Sequence, residues 1–198
     1  MEKFDIELIP GFEFDAKRLL EEYEKVKNFY KLDTTQINIF HRDADLSETQ
    51  RLLEYTGSLS PMINKSDIVI SESDFKVLHY MFKDTYTSEV CEIIRNYSHY
   101  PLGRIRILTL KPKTCYSWHG DPDLIRYHIP IKTNKASFFI VEDAVYKLQE
   151  EGKLYSLIST KWHTALNASF SHDRIHMVFN TYDPEGNNPY MGVTGVRY

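Results

Sequence analysis

The spacing of apolar side chains changes character near the middle of the chain. In residues 14–31, apolar and aromatic positions recur at helical spacing with charged residues between them, which predicts an amphipathic helix. Residues 43–55 and 74–97 repeat this pattern and predict two further helices. Short strands are predicted between these helices, over 36–40 and 67–71. The first hundred residues are therefore expected to be mainly helical.

After Gly103 the pattern is that of short strands separated by turns. Five segments rich in β-branched and aromatic residues cover 104–110, 124–131, 136–142, 153–159 and 174–182. Strands at this spacing favour an antiparallel sandwich or barrel. We expect a single domain over 1–198. In it, a helical part at 1–100 packs on a β core at 101–183, and a tail follows at 184–198.

Composition excludes several classes of protein. The chain has 198 residues, of which 42% are hydrophobic and 26% charged, so it can build a core. A net charge of −4 argues against nucleic-acid binding, which requires a basic surface. No apolar run approaches the roughly 20 residues of a membrane span. Only two cysteines occur, Cys91 and Cys115, which favours a reducing compartment. We expect a cytoplasmic protein that binds neither nucleic acid nor membrane.

Two His-x-Asp triplets are the first candidates for chemistry, at residues 41–43 and 119–121. Residues two apart on an extended chain point to the same side, so an imidazole and a carboxylate at this spacing can bind one metal ion. A site with two histidines and one carboxylate needs a further histidine from a distant strand. For His119 and Asp121, that histidine is His163, which follows a predicted strand.

The first triplet has no such partner. The histidine that follows His41 is His79, which lies in a predicted helical stripe. We interpret residues 41–43 as the entry to a helix, in which Asp43 or Asp45 helps to cap the first turn. Ser47 is a second candidate for the cap.

An arginine supports the assignment of His163. Arg174 opens the last long strand, eleven residues after His163, and could form a bidentate pair with a carboxylate. His172 and His176 are rivals for the distal metal ligand, but neither is followed by an arginine at a comparable distance. His172 is expected in a loop and His176 in the barrel lining.

A second arginine and histidine lie on the strand after the 119–121 triplet. Arg126 and His128 are two residues apart, and therefore share one face of that strand. Arg174 and His176 repeat the spacing on the last strand. Together these side chains would form a cationic pocket suited to a dicarboxylate.

These residues resemble the aspartyl/asparaginyl β-hydroxylase family of iron(II)- and 2-oxoglutarate-dependent oxygenases, which includes bacterial free proline hydroxylases. The motifs that carry the resemblance are His119-x-Asp121, Arg126-x-His128-x-Pro130, His163-x3-Asn167-x-Ser169 and Arg174-x-His176. They cover roughly residues 103–182. The first hundred residues match no family we can name.

The resemblance implies an α+β fold, with a double-stranded β-helix (jelly-roll, cupin-like) core and an N-terminal helical region. It implies iron(II) ligands at His119, Asp121 and His163. Arg174 would pair with the distal carboxylate of 2-oxoglutarate. Arg126 and His128 would contribute to co-substrate binding, although Arg126 could instead contact substrate or solvent. Some relatives lack the metal-binding carboxylate, whereas Asp121 is present here.

The implied activity is hydroxylation of an amino-acid side chain, free or within a peptide or protein, coupled to decarboxylation of 2-oxoglutarate to succinate. One alternative is a cupin-type module that binds or senses a small acid without turnover. Another is a structural barrel with no site. The N-terminal part is expected to shape the mouth of the barrel, and its helices are candidates for mediating a homodimer.

Overall fold

The computed structural model of the protein describes residues 5–59, 69–121 and 125–185. The strands are β1 (Ile6–Glu13), β2 (Gln36–Asn38), β3 (Phe40–Arg42), β4 (Phe75–Leu78), β5 (Leu102–Leu110), β6 (Thr114–Cys115), β7 (Arg126–Lys132), β8 (Ser137–Val141), β9 (Ala144–Tyr146), β10 (Lys153–Leu157), β11 (His163–Asn167) and β12 (Arg174–Thr181). The α-helices are α1 (Ala16–Tyr30), α2 (Glu48–Leu53) and α3 (Tyr86–Tyr97). None of these helices is long and apolar enough to cross a membrane.

Two antiparallel sheets form the core. The large sheet has the strand order β1-β10-β7-β12-β5-β2, and the small sheet has the order β6-β11-β8-β9. Along the chain, strands β5 to β12 pass back and forth between the two sheets, while β3 and β4 pair separately. This winding is that of a double-stranded β-helix, so the fold class predicted from the sequence is confirmed.

The two faces of the large sheet pack against different partners. On its outer face, alternate residues of β5 and β12 join a core with helix α1; the members include Ile105, Ile107, Met177, Phe179, Leu19, Tyr23 and Val26. On its inner face, apolar residues meet the small sheet; the members include Leu110, Tyr155, Leu157, Phe139, Val141 and Ala165. The period of two along each strand therefore separates a helix-covered side from a barrel interior.

The amphipathic helix predicted near the N-terminus is present as α1. Asp15 caps it by accepting a hydrogen bond from the Arg18 amide at 3.0 Å, and Lys31 ends it in the left-handed conformation. The predicted helix over 43–55 is shorter, and Ser47 provides its capping box. The cap is therefore Ser47, and the prediction of Asp43 or Asp45 was wrong.

The helix predicted over 74–97 is wrong in its first half. Phe75–Leu78 is strand β4, which pairs with β3, and Tyr80–Phe82 is a 3-10 turn; only Tyr86–Tyr97 is helical. Pairing with β3 supplies backbone hydrogen bonds that the local apolar spacing cannot reveal. Thr85 caps α3 and so marks where the helix begins. Residues 67–68 of the predicted strand lie outside the described residues, and 69–71 form no strand.

All five strands predicted after Gly103 are present, as β5, β7, β8, β10 and β12. Besides β4, four of the described strands were missed: β1, β6, β9 and β11. In β1, Pro10 and Gly11 interrupt the alternation, and the pairing with β10 shifts register between Ile9 and Glu13. The predicted strand over 36–40 is divided, because β2 ends at Asn38 and β3 begins at Phe40. The N-terminal part thus adds edge strands as well as helices to the β core.

We predict that Gly152→Ala destabilises the fold. Gly152 has φ +79°, and an added Cβ would lie 2.1 Å from the Phe14 carbonyl oxygen. Its own amide donates to the Pro130 carbonyl at 2.8 Å, so the backbone cannot easily move away. We expect the free energy of unfolding to fall by at least about 2 kcal/mol in chemical denaturation. Gly57→Ala is the control, because nothing lies within 4 Å of its Cβ position. Equal stabilities of the two variants would contradict the prediction.

Candidate functional site

Three of the residues singled out from the sequence meet at one end of the small sheet. Ligand atoms of His119, Asp121 and His163 all lie within 4.8 Å of one another. Asp121 Oδ2 is 3.6 Å from His119 Nε2 and 3.3 Å from His163 Nε2. His163 is buried, whereas about a third of the His119 side chain is exposed. The cluster therefore has a buried side and an open side.

Backbone hydrogen bonds fix the spacing of the two histidines. His119 and His163 form an antiparallel bridge, in which each amide donates to the other residue's carbonyl, at 3.1 and 2.8 Å. The bridge continues the pairing of β6 with β11. The Asp121 amide donates to the Ser159 carbonyl at 2.8 Å, which holds the third side chain beside the bridge.

The remaining ring nitrogens orient both imidazoles. His119 Nδ1 lies 2.7 Å from the Ser117 carbonyl oxygen, and His163 Nδ1 lies 2.8 Å from the Lys161 carbonyl oxygen. Because a carbonyl can only accept, each Nδ1 carries a hydrogen, and in the neutral form of each ring the lone pair is on Nε2. Two nitrogen lone pairs and one carboxylate therefore converge, which is the donor set of a facial metal triad.

Arg126 lies directly behind the carboxylate of this cluster. Its Nη1 is 2.5 Å from Asp121 Oδ2, and most of its side chain is buried. Burial raises the pKa of Asp121, but the Arg126 guanidinium lowers it more, so that pKa lies well below its ordinary range. Asp121 is thus held ionised and in place by an arginine that the sequence analysis had assigned to co-substrate.

The inner face of the large sheet is lined with polar side chains. The register pairs Val178 of β12 with Arg106 of β5 and with His128 of β7, so these three residues share a face. The same alternation brings further members to this face: Arg104, Arg126, Arg174, His176 and Asn180. All of them are buried. The barrel interior therefore carries four arginines.

Arg174 lies at one end of this polar face. Its guanidinium packs over the Phe139 ring at 4.7 Å, and its Nη2 lies 3.0 Å from His176 Nδ1. Burial lowers the pKa of Arg174 to about 10, so it stays charged at neutral pH. No carboxylate among residues 5–59, 69–121 and 125–185 forms a salt bridge with it. A buried cation without an anion is costly, so this end of the barrel suits an anionic ligand.

Several polar atoms near Arg174 lack hydrogen-bond partners within the described part of the chain. They are Tyr116 Oη, both ring nitrogens of His128, and His176 Nε2. Burial, and next Arg174, lower the pKa of both His128 and His176 well below the usual value, so these imidazoles are neutral at pH 7. Orphaned donors and acceptors around a buried arginine favour a polar, acidic ligand at this place.

The opposite end of the polar face is closed by Glu72. Its carboxylate accepts hydrogen bonds from the Arg104 amide at 2.8 Å, from Arg104 Nη2 at 2.6 Å and from Asn180 Nδ2 at 2.8 Å. Arg104 Nη1 donates to the carbonyls of Tyr55 and Gly57. The N-terminal segments are thereby tied to the inside of the barrel.

The other histidines lie elsewhere. His41 is on β3 and makes an edge contact with His79, outside the cluster. His172 is in the loop before β12, where its carbonyl accepts from Asn167 Nδ2 at 2.8 Å. The sequence analysis missed Glu72, Arg104 and Arg106 as parts of the interior. Arg104 and Arg106 stand at alternate positions of a strand that is otherwise largely apolar. This pattern could have indicated that both side chains line the interior.

The comparisons with known proteins agree with this description of the fold. A jelly-roll barrel with two histidines and one carboxylate at its mouth is the architecture of metal-dependent oxygenases. The family model for aspartyl/asparaginyl β-hydroxylase matches residues 79–184, more than half of the chain. The protein belongs to this family. No curated protein matches the sequence.

Solved structures with the same fold differ widely in sequence. A prolyl hydroxylase from Trichoplax adhaerens, in complex with a hypoxia-inducible-factor peptide fragment, is 13% identical, with a TM-score of 0.52 over 92% of this chain and 85% of that one. HygX from Streptomyces hygroscopicus, with nickel and 2-oxoglutarate bound, is 9% identical, with a TM-score of 0.50 over 88% of this chain and 81% of HygX. At these identities the likeness establishes the fold.

We predict that Glu72→Gln weakens the fold in a pH-dependent way. Burial raises the pKa of Glu72, but Arg104 and Arg106 lower it more, to below its usual 4.5. A lowered folded-state pKa stabilises the protein above the unfolded value, and this stabilisation is lost as pH falls through the folded value. We expect the substitution to cost about 3 kcal/mol at pH 7 and progressively less below about pH 4.

Chemical denaturation at several pH values measures this difference. Glu13→Gln is the control, because Glu13 pairs with Lys153 at an exposed site. A cost for Glu72→Gln that did not change between pH 7 and pH 3 would show that the charge of Glu72 is not what stabilises the fold.

Proposed function

We propose that the protein is an iron(II)- and 2-oxoglutarate-dependent dioxygenase that hydroxylates an amino-acid side chain, either free or within a peptide. The observation that carries the proposal is the joint presence of two features. One is the cluster of His119, Asp121 and His163, in which both Nε2 atoms lie within 3.6 Å of the Asp121 carboxylate and both Nδ1 atoms are held by backbone carbonyls. The other is buried Arg174, which has no salt bridge within the described residues. Membership of the family supports the same conclusion.

The residues present fit the metal and the co-substrate. His119 Nε2, the Asp121 carboxylate and His163 Nε2 would hold iron(II), since this donor set is typical of non-haem iron sites. When bound, iron and 2-oxoglutarate supply the oxidation of a C–H bond by dioxygen, coupled to conversion of the co-substrate to succinate and carbon dioxide. Nickel and 2-oxoglutarate in HygX, which shares the fold, also support this assignment.

The chain's own contribution is to bind and orient. Arg174 would receive the distal carboxylate of 2-oxoglutarate through its planar guanidinium, and His176 Nδ1 holds that guanidinium in place. The Tyr116 hydroxyl is buried, has no hydrogen-bond partner within the described residues and would be a further donor for an acid. His128, between Phe139 and His176, would line the same pocket as a neutral group. The roles of these residues are part of the proposal.

Asp121 and Arg126 act together in this scheme. Arg126 keeps the carboxylate ionised, and its 2.5 Å ion pair fixes the direction in which Asp121 points. Arg126 would therefore be a positioning residue for the metal site, rather than only a co-substrate ligand. On the buried side of the cluster, where His163 is 2% exposed, the barrel would limit the access of bulk water to the reacting atoms.

The proposed function predicts how the protein binds the metal and co-substrate. Anaerobic titration of the iron(II)-loaded protein with 2-oxoglutarate should produce a weak metal-to-ligand charge-transfer band. We expect His163→Ala to abolish the band, because it removes a buried ligand. Arg174→Ala should raise the half-saturating concentration of 2-oxoglutarate by about 30-fold, because the distal carboxylate loses its charged partner.

His172→Ala is the matched control for this titration. The side chain of His172 contacts only the neighbouring Ser171 hydroxyl, 3.2 Å away, among the contacts the structure describes. The variant should give the band of the unaltered protein. No band and no iron uptake in the unaltered protein would overturn the proposed function.

Turnover distinguishes the dioxygenase from a cupin-type binding module. In the presence of air, iron(II) and 2-oxoglutarate, addition of free amino acids or short peptides should stimulate succinate formation. Asp121→Ala should abolish it, because the metal site loses its carboxylate and Arg126 its partner. A protein that bound 2-oxoglutarate but never formed succinate, under any of these additions, would be the binding module.

A further inference from the structure

Arg106 is a buried arginine that the metal and co-substrate sites do not use. It lies on the inner face of β5, and only 5% of the residue is exposed. Its Nη1 donates to the Thr56 carbonyl, and its Nη2 donates to Asn180 Oδ1 at 3.1 Å. Its Nε has no hydrogen-bond partner among the residues that the structure describes. Arg106 is therefore held firmly at two nitrogens while a third donor remains available.

Arg106 lies on β5, on the opposite side of β12 from Arg126 of β7, which contacts Asp121 of the metal cluster. Asn180, which contacts Arg106, is paired in register with Arg126, and Arg126 contacts Asp121. Arg106 pairs in register with Val178, which follows Arg174 by four residues on β12, a distance of about 13 Å along an extended strand. A co-substrate that extends from the cluster toward Arg174 leaves the Arg106 side free. The substrate would occupy that side.

The charges of the interior are unbalanced. Four arginines line the inner face: Arg104, Arg106, Arg126 and Arg174. Within the described part of the chain, two carboxylates form salt bridges with them: Glu72 with Arg104, and Asp121 with Arg126. Bound iron(II) and the 2-oxoglutarate dianion would cancel one another. The interior then keeps a formal excess of two positive charges. Arg174 would be met by a carboxylate of the co-substrate, whereas Arg106 has no salt bridge within the described residues and shares the charge of Glu72 with Arg104 only at longer range.

We propose, on the basis of the proposed function, that Arg106 is a specificity-determining residue that binds a carboxylate of the substrate. The available Nε–H and the charge of Arg106 would pair with that carboxylate, while the Thr56 carbonyl and Asn180 hold the guanidinium in position. A neutral amide in the same place would leave the buried charge unbalanced, so the site discriminates acids from amides.

A carboxylate can come from two sources, and a set of probes separates them. The probes are the standard L-amino acids, their C-terminal amides, and the N-acetyl amides of aspartate and glutamate, in which the side chain carries the only carboxylate. Each is titrated anaerobically into protein loaded with iron(II) and 2-oxoglutarate. Binding is followed by isothermal titration calorimetry and by the change in the charge-transfer band.

We expect at least one acid to bind about 10-fold or more tightly than its matched amide. Arg106→Gln should reduce that preference to less than about 2-fold, because it removes the charge but keeps a polar side chain near Thr56 and Asn180. Arg106→Lys should recover part of the preference, because it keeps the charge without the planar guanidinium. Arg51→Gln, an arginine of α2 paired with Glu48, is the control and should keep the full preference.

Three results would overturn the proposal: amides that bind as tightly as acids, an acid preference that persists in Arg106→Gln, or no binding of any acid while the 2-oxoglutarate band is present. If the glutamine variant does not fold, an affinity of Arg106→Lys for the acid equal to that of the unaltered protein overturns it. A missing band in the unaltered protein is a different result, since it removes the proposed function itself.

Discussion

Buried positive charge on one face of the large sheet is the constraint on which the site depends. Alternation along β5, β7 and β12 sends apolar side chains outward to the helices and arginines inward to the barrel. A buried arginine is stable only beside an anion or a set of acceptors. Glu72 and Asp121 supply the anions for Arg104 and Arg126, and Arg174 is left for a ligand. Charge balance therefore links the fold to acidic small molecules.

The N-terminal part of the chain completes this interior as well as covering it. Glu72 accepts hydrogen bonds from Arg104 and Asn180, and the carbonyls of residues 55–57 accept from Arg104 and Arg106. These groups lie before residue 79, where the match to the family begins. The segment that the family pattern leaves undefined thus positions Arg106, so differences there between relatives could change the substrate side without altering the metal cluster.

The sequence predicted β5, β7, β8, β10 and β12, and the pairing of His119 with Asp121, because each depends on short-range order. His163 was joined to them through its spacing to Arg174 and through the family resemblance. A period of two marks β5, β7 and β12, and the His119-x-Asp121 spacing places two groups together on any extended segment. Strand β4 and the role of Glu72 depend instead on pairing and ion contacts between residues far apart in the chain. Local periodicity carries no information about such partners, so the 74–97 segment was misassigned and Glu72 was missed.

The ion pair of Asp121 with Arg126 would couple binding of the metal to binding of the co-substrate. A divalent metal beside Asp121 would share one negative charge with Arg126, in an interior where Arg106 is also fully buried. Such a pocket resists a bare dication, because like charges repel strongly at low dielectric. The two negative charges of 2-oxoglutarate relieve this repulsion, so metal and co-substrate should strengthen each other's binding. An acidic substrate at Arg106 would extend the same coupling to a third ligand, which would favour assembly of the complete site over partial loading.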